Sequence, residues 1–242
     1  MTQDQSPPDG VSLATMMESA DARTLNMAGN AFADRGLWNE AIECYERSRA
    51  LYQAAGDRHG EALVLNNLGA TSYAVGDWDE AGRYYREALA ALRGLHNPDT
   101  ELLSLMNLCF LQYAQGGKPD ETLDRVQRLA EELGRDDPLT KIYWMRGDAA
   151  FAAGGDMTQA FDHYAHACLH AGRAGGDLLD RTLDYVNEHV RVLSERGQTL
   201  AAVAFCDHLA QFGRDHSLGD VFAGRVQNMR SGVLMPPLLG GA

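Results

Sequence analysis

The chain has 242 residues, 45% of them hydrophobic, so it is long enough to bury a sizeable core in one or two domains. It carries 34 acidic and 21 basic side chains, which give a net charge of −13 at pH 7, and it has no run of basic residues. This balance argues against nucleic acid as a direct partner, because phosphates would be repelled, and it favours a basic peptide or protein surface.

The predicted elements begin after a polar segment, residues 1–20, which we expect to be flexible. Its first ten residues, MTQDQSPPDG, lack the apolar core of a signal peptide, and no apolar stretch of the chain reaches the length of a membrane span. The four cysteines form no CxxC pair and lie within apolar helical patterns, which indicates buried thiols in a reducing compartment. The sequence therefore predicts a cytoplasmic protein without a membrane partner.

A unit of forty residues recurs along the chain. Gly36, Gly76 and Gly116 keep this spacing. The same step relates several pairs: Gly29 and Gly69, Trp38 and Trp78, Ala41 and Ala81, and Tyr45 and Tyr85. A fixed period between about 20 and 50 residues is typical of solenoids and other repeat arrays. Recurrence also explains why a helix accepts Gly69, at a cost of roughly 0.5–1 kcal/mol, since a small residue lets two helices pack closely.

Each unit predicts two helices separated by a glycine. In the second unit, Gly76 ends the first helix because glycine readily adopts the left-handed conformation. We count five units, at about residues 22–53, 62–94, 100–134, 138–172 and 178–212. Asn97 and Asp137 each precede a proline, which predicts a capped helix start at both places. Residues 218–235 predict a further amphipathic helix that covers the last unit, and residues 236–242 predict a disordered tail.

The pattern L–NLG–Y–GDWDEA–YY–AL resembles the tetratricopeptide repeat. The residues that carry the resemblance are Leu65, Leu68, Gly69, Gly76, Ala81, Tyr85 and Ala88. The step is longer than the family's usual period of about 34 residues. The linkers GDRHGEA and HNPDTE are similar to those of kinesin light chain and of bacterial regulatory repeat proteins. The resemblance implies an all-α fold over residues 21–235, namely a right-handed solenoid of about five helical hairpins with a C-terminal capping helix.

In this family the first helices line a concave groove, so the resemblance implies a binding site on their polar and aromatic faces. The candidate residues are Asn26, Asn30, Asn66, Asn67, Tyr73, Asn107, Phe110, Tyr113, Trp144, Asp148, Phe151, Asn187 and Arg191. Asparagine amides can donate to and accept from a peptide backbone at once, and aromatic rings can form side-chain pockets. We therefore expect a regulatory or adaptor protein that holds an extended protein or peptide segment and needs no cofactor.

Three alternatives remain open. The stretch HYAHACLH places His163, His166 and His170 on one helix face, where they could bind a transition metal, although a solvated or half-packed stripe is the more ordinary outcome. The chain lacks G-x-S-x-G, phosphate-loop and HExxH motifs, so no catalytic residue is predicted. An enzyme or accessory protein that acts on a small molecule bound in the aromatic-lined groove, using Asp148 with a histidine or tyrosine, nevertheless remains an alternative. Finally, apolar residues of the fifth unit and the last helix could form a homodimer face.

Overall fold

The computed structural model describes residue 16, residue 18 and residues 21–118, 120–154 and 157–234. The predicted tail at 236–242 lies outside this part of the chain, as does most of the predicted flexible segment at 1–20. Within the described residues the chain forms eleven α-helices and no strand, which confirms the all-α class. The helices are α1 (Ala22–Ala33), α2 (Trp38–Ala55), α3 (Arg58–Val75), α4 (Trp78–Ala91), α5 (Pro98–Ala114), α6 (Asp120–Glu132), α7 (Asp136–Ala153), α8 (Thr158–Ala174), α9 (Leu178–Glu195), α10 (Thr199–Asp215) and α11 (Gly219–Leu234).

The ends of the helices follow the predicted turn residues in most places. Gly36, Gly76 and Gly116 have φ values of 72°, 88° and 75°, the left-handed conformation expected after a first helix. The Asn97 side chain accepts a hydrogen bond from the backbone N–H of Thr100 and so caps α5 as predicted.

The predicted cap at Asp137 is wrong. Helix α7 begins at Asp136, after Arg135, and it has no side-chain cap. Pro138 still lies in the first turn, where a helix does not need the missing backbone N–H.

Close packing between consecutive helices explains the recurring glycines. Three glycines of first helices each lie against a tyrosine ring of the following helix: Gly29 against Tyr45, Gly69 against Tyr85, and Gly147 against Tyr164. A Cβ atom added at Gly69 would lie only 2.5 Å from Cε1 of Tyr85. The glycine is therefore required by the ring that covers it, and the same arrangement recurs in the first, second and fourth hairpins.

The chain divides into two compact units, residues 1–125 and 126–242. In the first, helices α1 to α4 pack into one core that includes Cys44 of α2, and Met16 joins this core from outside the four helices. In the second, helices α8 to α11 surround a core in which the rings of Phe161 and Phe205 stack with centroids 4.2 Å apart. All four cysteines are buried free thiols, as predicted.

No helix in the described part of the chain is both long enough and apolar enough to span a membrane.

Candidate functional site

A chain of amide hydrogen bonds links the first helices α1 and α3. The Asn67 side-chain N–H₂ donates to Oδ1 of Asn26 at 2.8 Å and to Oδ1 of Asn30 at 3.1 Å. The Tyr45 hydroxyl also donates to Oδ1 of Asn30, at 2.8 Å. Three predicted site residues are thus brought together in a half-buried cluster on the first-helix side of the first unit.

Asn66 lies elsewhere, although the repeat register makes it the equivalent of Asn26. It is only 2% exposed, and its amide N–H₂ donates to Oγ of Ser104 at 2.8 Å and to the carbonyl of Ala62 at 3.0 Å. The structure therefore places Asn66 inside the packing of α3 against α5 and not on an open surface. The next residue, Asn67, makes the hydrogen bonds to Asn26 and Asn30 instead.

Four predicted residues line one cavity of about 350 Å³ between α3 and α5. Its complete lining is Ala70, Tyr73, Tyr85, Asn107, Phe110, Tyr113 and Ala114. Tyr73 and Phe110 are 40% and 38% exposed, so both rings are partly open to solvent beside the cavity. The arrangement provides apolar aromatic walls with one amide at the side, and this chemistry suits a peptide side chain next to its own backbone.

Tyr85 is the lining residue that sequence reasoning treated as packing alone. It reaches the cavity from the second helix α4, across Gly69. Burial raises the pKa of its hydroxyl to about 12, so the phenol stays protonated and can donate a hydrogen bond.

A second group of predicted residues surrounds Asp148 in the second unit. The Asp148 carboxylate accepts hydrogen bonds from the hydroxyls of Tyr164 at 2.7 Å and Tyr185 at 2.5 Å, and Nε2 of His189 lies 3.3 Å away. The ring of Trp144 stacks on Tyr185 with centroids 5.2 Å apart. Asp148 therefore ties α7, α8 and α9 together. Tyr185, which sequence reasoning missed, is one of its main partners.

Phe151 belongs to the same group, since its ring meets the His189 ring edge-on at 4.9 Å. The last two predicted residues, Asn187 and Arg191, lie on the exposed side of α9. There they line a separate cavity of about 520 Å³ between α9 and α11. Arg191 is already paired with Glu188 and Glu195 on its own helix. The thirteen candidates thus lie in several places: the amide cluster, the α3–α5 packing and the aromatic cavity in the first unit, and the surroundings of Asp148 and the α9–α11 cavity in the second.

The three histidines of α8 pack around one tyrosine. The ring centroids of His163, His166 and His170 lie 6.1, 5.1 and 5.4 Å from that of Tyr143 on α7. Nδ1 of His170 lies 2.7 Å from Oδ1 of Asp136. Within the described residues, no group of three or more His, Cys, Asp or Glu side chains is placed to hold a metal ion. The stripe is therefore part of the helix packing.

Burial lowers the pKa of His163 and His166 below the ordinary value of 6.5, and neighbouring positive groups, Arg146 for the first and His170 for the second, lower it further. Since the unfolded chain then binds these protons more readily, we expect the free energy of unfolding to fall as pH drops below about 6.5. Urea denaturation at about pH 7.5 and about pH 5.5 measures this loss. The loss should shrink in His166→Gln and be unchanged in the control His96→Gln, whose histidine is exposed. A loss that His166→Gln leaves unchanged would contradict the assignment.

Residues 21–94, which contain helices α1 to α4, match the model of the tetratricopeptide repeat family. The match covers these four helices, and the remaining helices lie outside it. The match covers both hairpins that carry the Gly29–Tyr45 and Gly69–Tyr85 contacts. Among curated proteins the comparison finds no match to the chain.

Among solved structures, the chain is similar to a Rap protein, whose crystal structure is a complex with Competence and Sporulation Factor. The two are 17% identical with a TM-score of 0.50, and the alignment covers 88% of this chain and 53% of the Rap chain. The chain therefore spans about half the length of that protein, and the likeness shows the fold alone. The aromatic cavity lies where the second hairpin of the matched segment, α3 and α4, meets α5.

Proposed function

We propose that this chain is a non-catalytic protein- or peptide-binding protein that holds an extended segment on the first-helix surface of its first unit. The observation that carries the proposal is the cavity between α3 and α5, where two partly exposed aromatic rings, Tyr73 and Phe110, lie beside the amide of Asn107. Exposed aromatic rings around a concave apolar space favour binding, because a ligand that covers them buries a large apolar area.

The neighbouring amide cluster supports the same surface. Asn67, which pairs with Asn26 and Asn30, lies forty residues before Asn107, so the polar side chains follow the repeat from one first helix to the next. A ladder of this kind suits an extended backbone, which repeats its own donors and acceptors. The similar Rap protein is itself complexed with Competence and Sporulation Factor, and this agrees with a binding role for the fold.

Charge and composition extend the proposal to the kind of partner. With a net charge of −13, the chain attracts basic segments at long range. A regulatory or adaptor role in a bacterial cytoplasm belongs to the same proposal. A homodimer face on the fifth hairpin and α11 stays a prediction, and exposed Leu200 and Val221 lie in that region.

The alternative of an enzyme or accessory protein rests on Asp148 and His189. Their side chains lie 3.3 Å apart and half-buried, as a general acid or base pair would. However, the same carboxylate accepts hydrogen bonds from two tyrosines, so it is engaged in holding three helices. This engagement favours the non-catalytic proposal.

The proposal is tested by selecting peptides on the immobilised chain from a random library and measuring their affinity by isothermal titration calorimetry. In the double variant Asn107→Ala/Phe110→Ala we expect the dissociation constant of a selected peptide to rise by at least about tenfold, as for a hot-spot pair. Leu103→Ala is the matched control, because Leu103 lies on the same helix, is 44% exposed and does not line the cavity. Equal loss in both variants, or no loss in the double variant, would contradict the proposal.

A further inference from the structure

Two tyrosines of second helices make the same hydrogen bond in different hairpins. Tyr45 packs on Gly29 and donates to the next residue, Asn30, at 2.8 Å. Tyr164 packs on Gly147 and donates to the next residue, Asp148, at 2.7 Å. In both hairpins the polar residue that directly follows the glycine accepts the tyrosine hydroxyl.

The second hairpin lacks this acceptor. Tyr85 packs on Gly69 in the same way, but the residue that follows is Ala70. The Tyr85 side chain is 3% exposed, and within the described part of the chain its hydroxyl has no hydrogen-bond partner. Both Ala70 and Tyr85 line the cavity of about 350 Å³ between α3 and α5. The missing polar side chain thus leaves a donor without a partner at the wall of an accessible cavity.

In the free chain the hydroxyl oxygen stays accessible to water from the cavity. A ligand that fills the cavity displaces this water and must itself accept from the hydroxyl, because a buried donor left without an acceptor is costly. A phenylalanine at position 85 would cover Gly69 equally well, so packing alone does not explain the hydroxyl. A ligand that brings an acceptor into the cavity would satisfy it. The hydroxyl therefore indicates what the cavity binds.

We propose that this cavity is a specificity pocket for a neutral aromatic side chain with an acceptor oxygen at its tip, that is, a tyrosine of the bound segment. The inference rests on the proposed function. The walls are the rings of Tyr73, Phe110 and Tyr113, which stack well on a flat ring and disfavour a charged group. The phenol oxygen of the ligand accepts from Tyr85, and the amide of Asn107 is left for the ligand's backbone.

The volume is consistent with one side chain. Ligand pockets in proteins measure about 300–1,000 Å³, and this one lies at the lower end of that range. The rest of the bound segment would extend over the neighbouring first helices.

The test compares two probes that differ only in the acceptor oxygen, N-acetyl-tyrosinamide and N-acetyl-phenylalaninamide, titrated into the full chain and followed by protein NMR. For the wild type we expect the tyrosine probe to bind about 3- to 10-fold more tightly, the value of one hydrogen bond. Tyr85→Phe should bind both probes equally. Ala70→Asn should bind neither probe, because the new side chain fills part of the cavity. Its amide oxygen should also accept the hydrogen bond of the Tyr85 hydroxyl, as Asn30 accepts that of Tyr45.

Tyr45→Phe is the matched control, since it removes the equivalent hydroxyl from a hairpin in which that group is already satisfied. It should keep the tyrosine preference. A preference that survives in Tyr85→Phe, probe binding that survives in Ala70→Asn, or a folded wild type that binds neither probe would each overturn the inference. If library-selected peptides bind wild type and Ala70→Asn equally, the pocket assignment fails while the proposed peptide-binding function stands.

Discussion

Replacing Gly69 by alanine is expected to lower the free energy of unfolding by about 2 kcal/mol, although alanine is the better helix former. The new Cβ atom would lie 2.5 Å from Cε1 of Tyr85, a ring that is buried and cannot move without disturbing the packing of α3 on α4. Urea denaturation measures the change.

Gly224 provides the matched control, because it lies in the middle of α11 with no atom within 4 Å of an added Cβ. Gly224→Ala should therefore raise the free energy of unfolding by about 0.5–1 kcal/mol through the lower backbone entropy of the unfolded chain. Changes of the same sign in the two variants would contradict the account of the glycine–tyrosine contact.

Asp148→Ala is expected to lower the free energy of unfolding by about 2–4 kcal/mol. The substitution leaves the hydroxyls of Tyr164 and Tyr185 without their acceptor inside the packing of α7, α8 and α9. Asp148→Asn keeps one acceptor oxygen and should lose less. Denaturation monitored by near-ultraviolet circular dichroism reports on these aromatic neighbours directly.

Asp184 is the control for this experiment, since its exposed carboxylate is paired with Arg225 at the surface. Asp184→Ala should change the free energy of unfolding by less than about 1 kcal/mol, as surface ion pairs usually do. If Asp148→Ala unfolds like the wild type, then the carboxylate does not hold the helices together, and the enzyme alternative gains support.

Much of the fold could be predicted because it depends on contacts that recur at a fixed step. The turn glycines Gly36, Gly76 and Gly116 and the pairs of glycine and tyrosine appear in the sequence at regular intervals, and each keeps its local role in the structure. Such features need only short-range information. The cap at Asp137 failed because a proline in the first turn is compatible with more than one starting residue.

The candidate site was less predictable because it depends on which side of a helix faces which neighbour. Adjacent residues point in directions about 100° apart, so Asn66 lies in the α3–α5 packing while Asn67 joins the amide cluster. Asp148 was predicted as a groove residue, but its partner Tyr185 lies in the following unit, on α9, and no spacing in the sequence pairs the two residues. The free hydroxyl of Tyr85 follows from what Ala70 lacks, and only the structure shows that no other residue replaces it.

Hydrogen exchange of the full chain, measured with and without a library-selected peptide, locates the surface that the bound peptide covers. We expect slower exchange in α3 and α5 when the peptide is bound, concentrated around residues 67–73 and 107–114, where the aromatic cavity and the amides lie. Protection confined to α9 and α11, around the separate cavity beside Arg191, would contradict it.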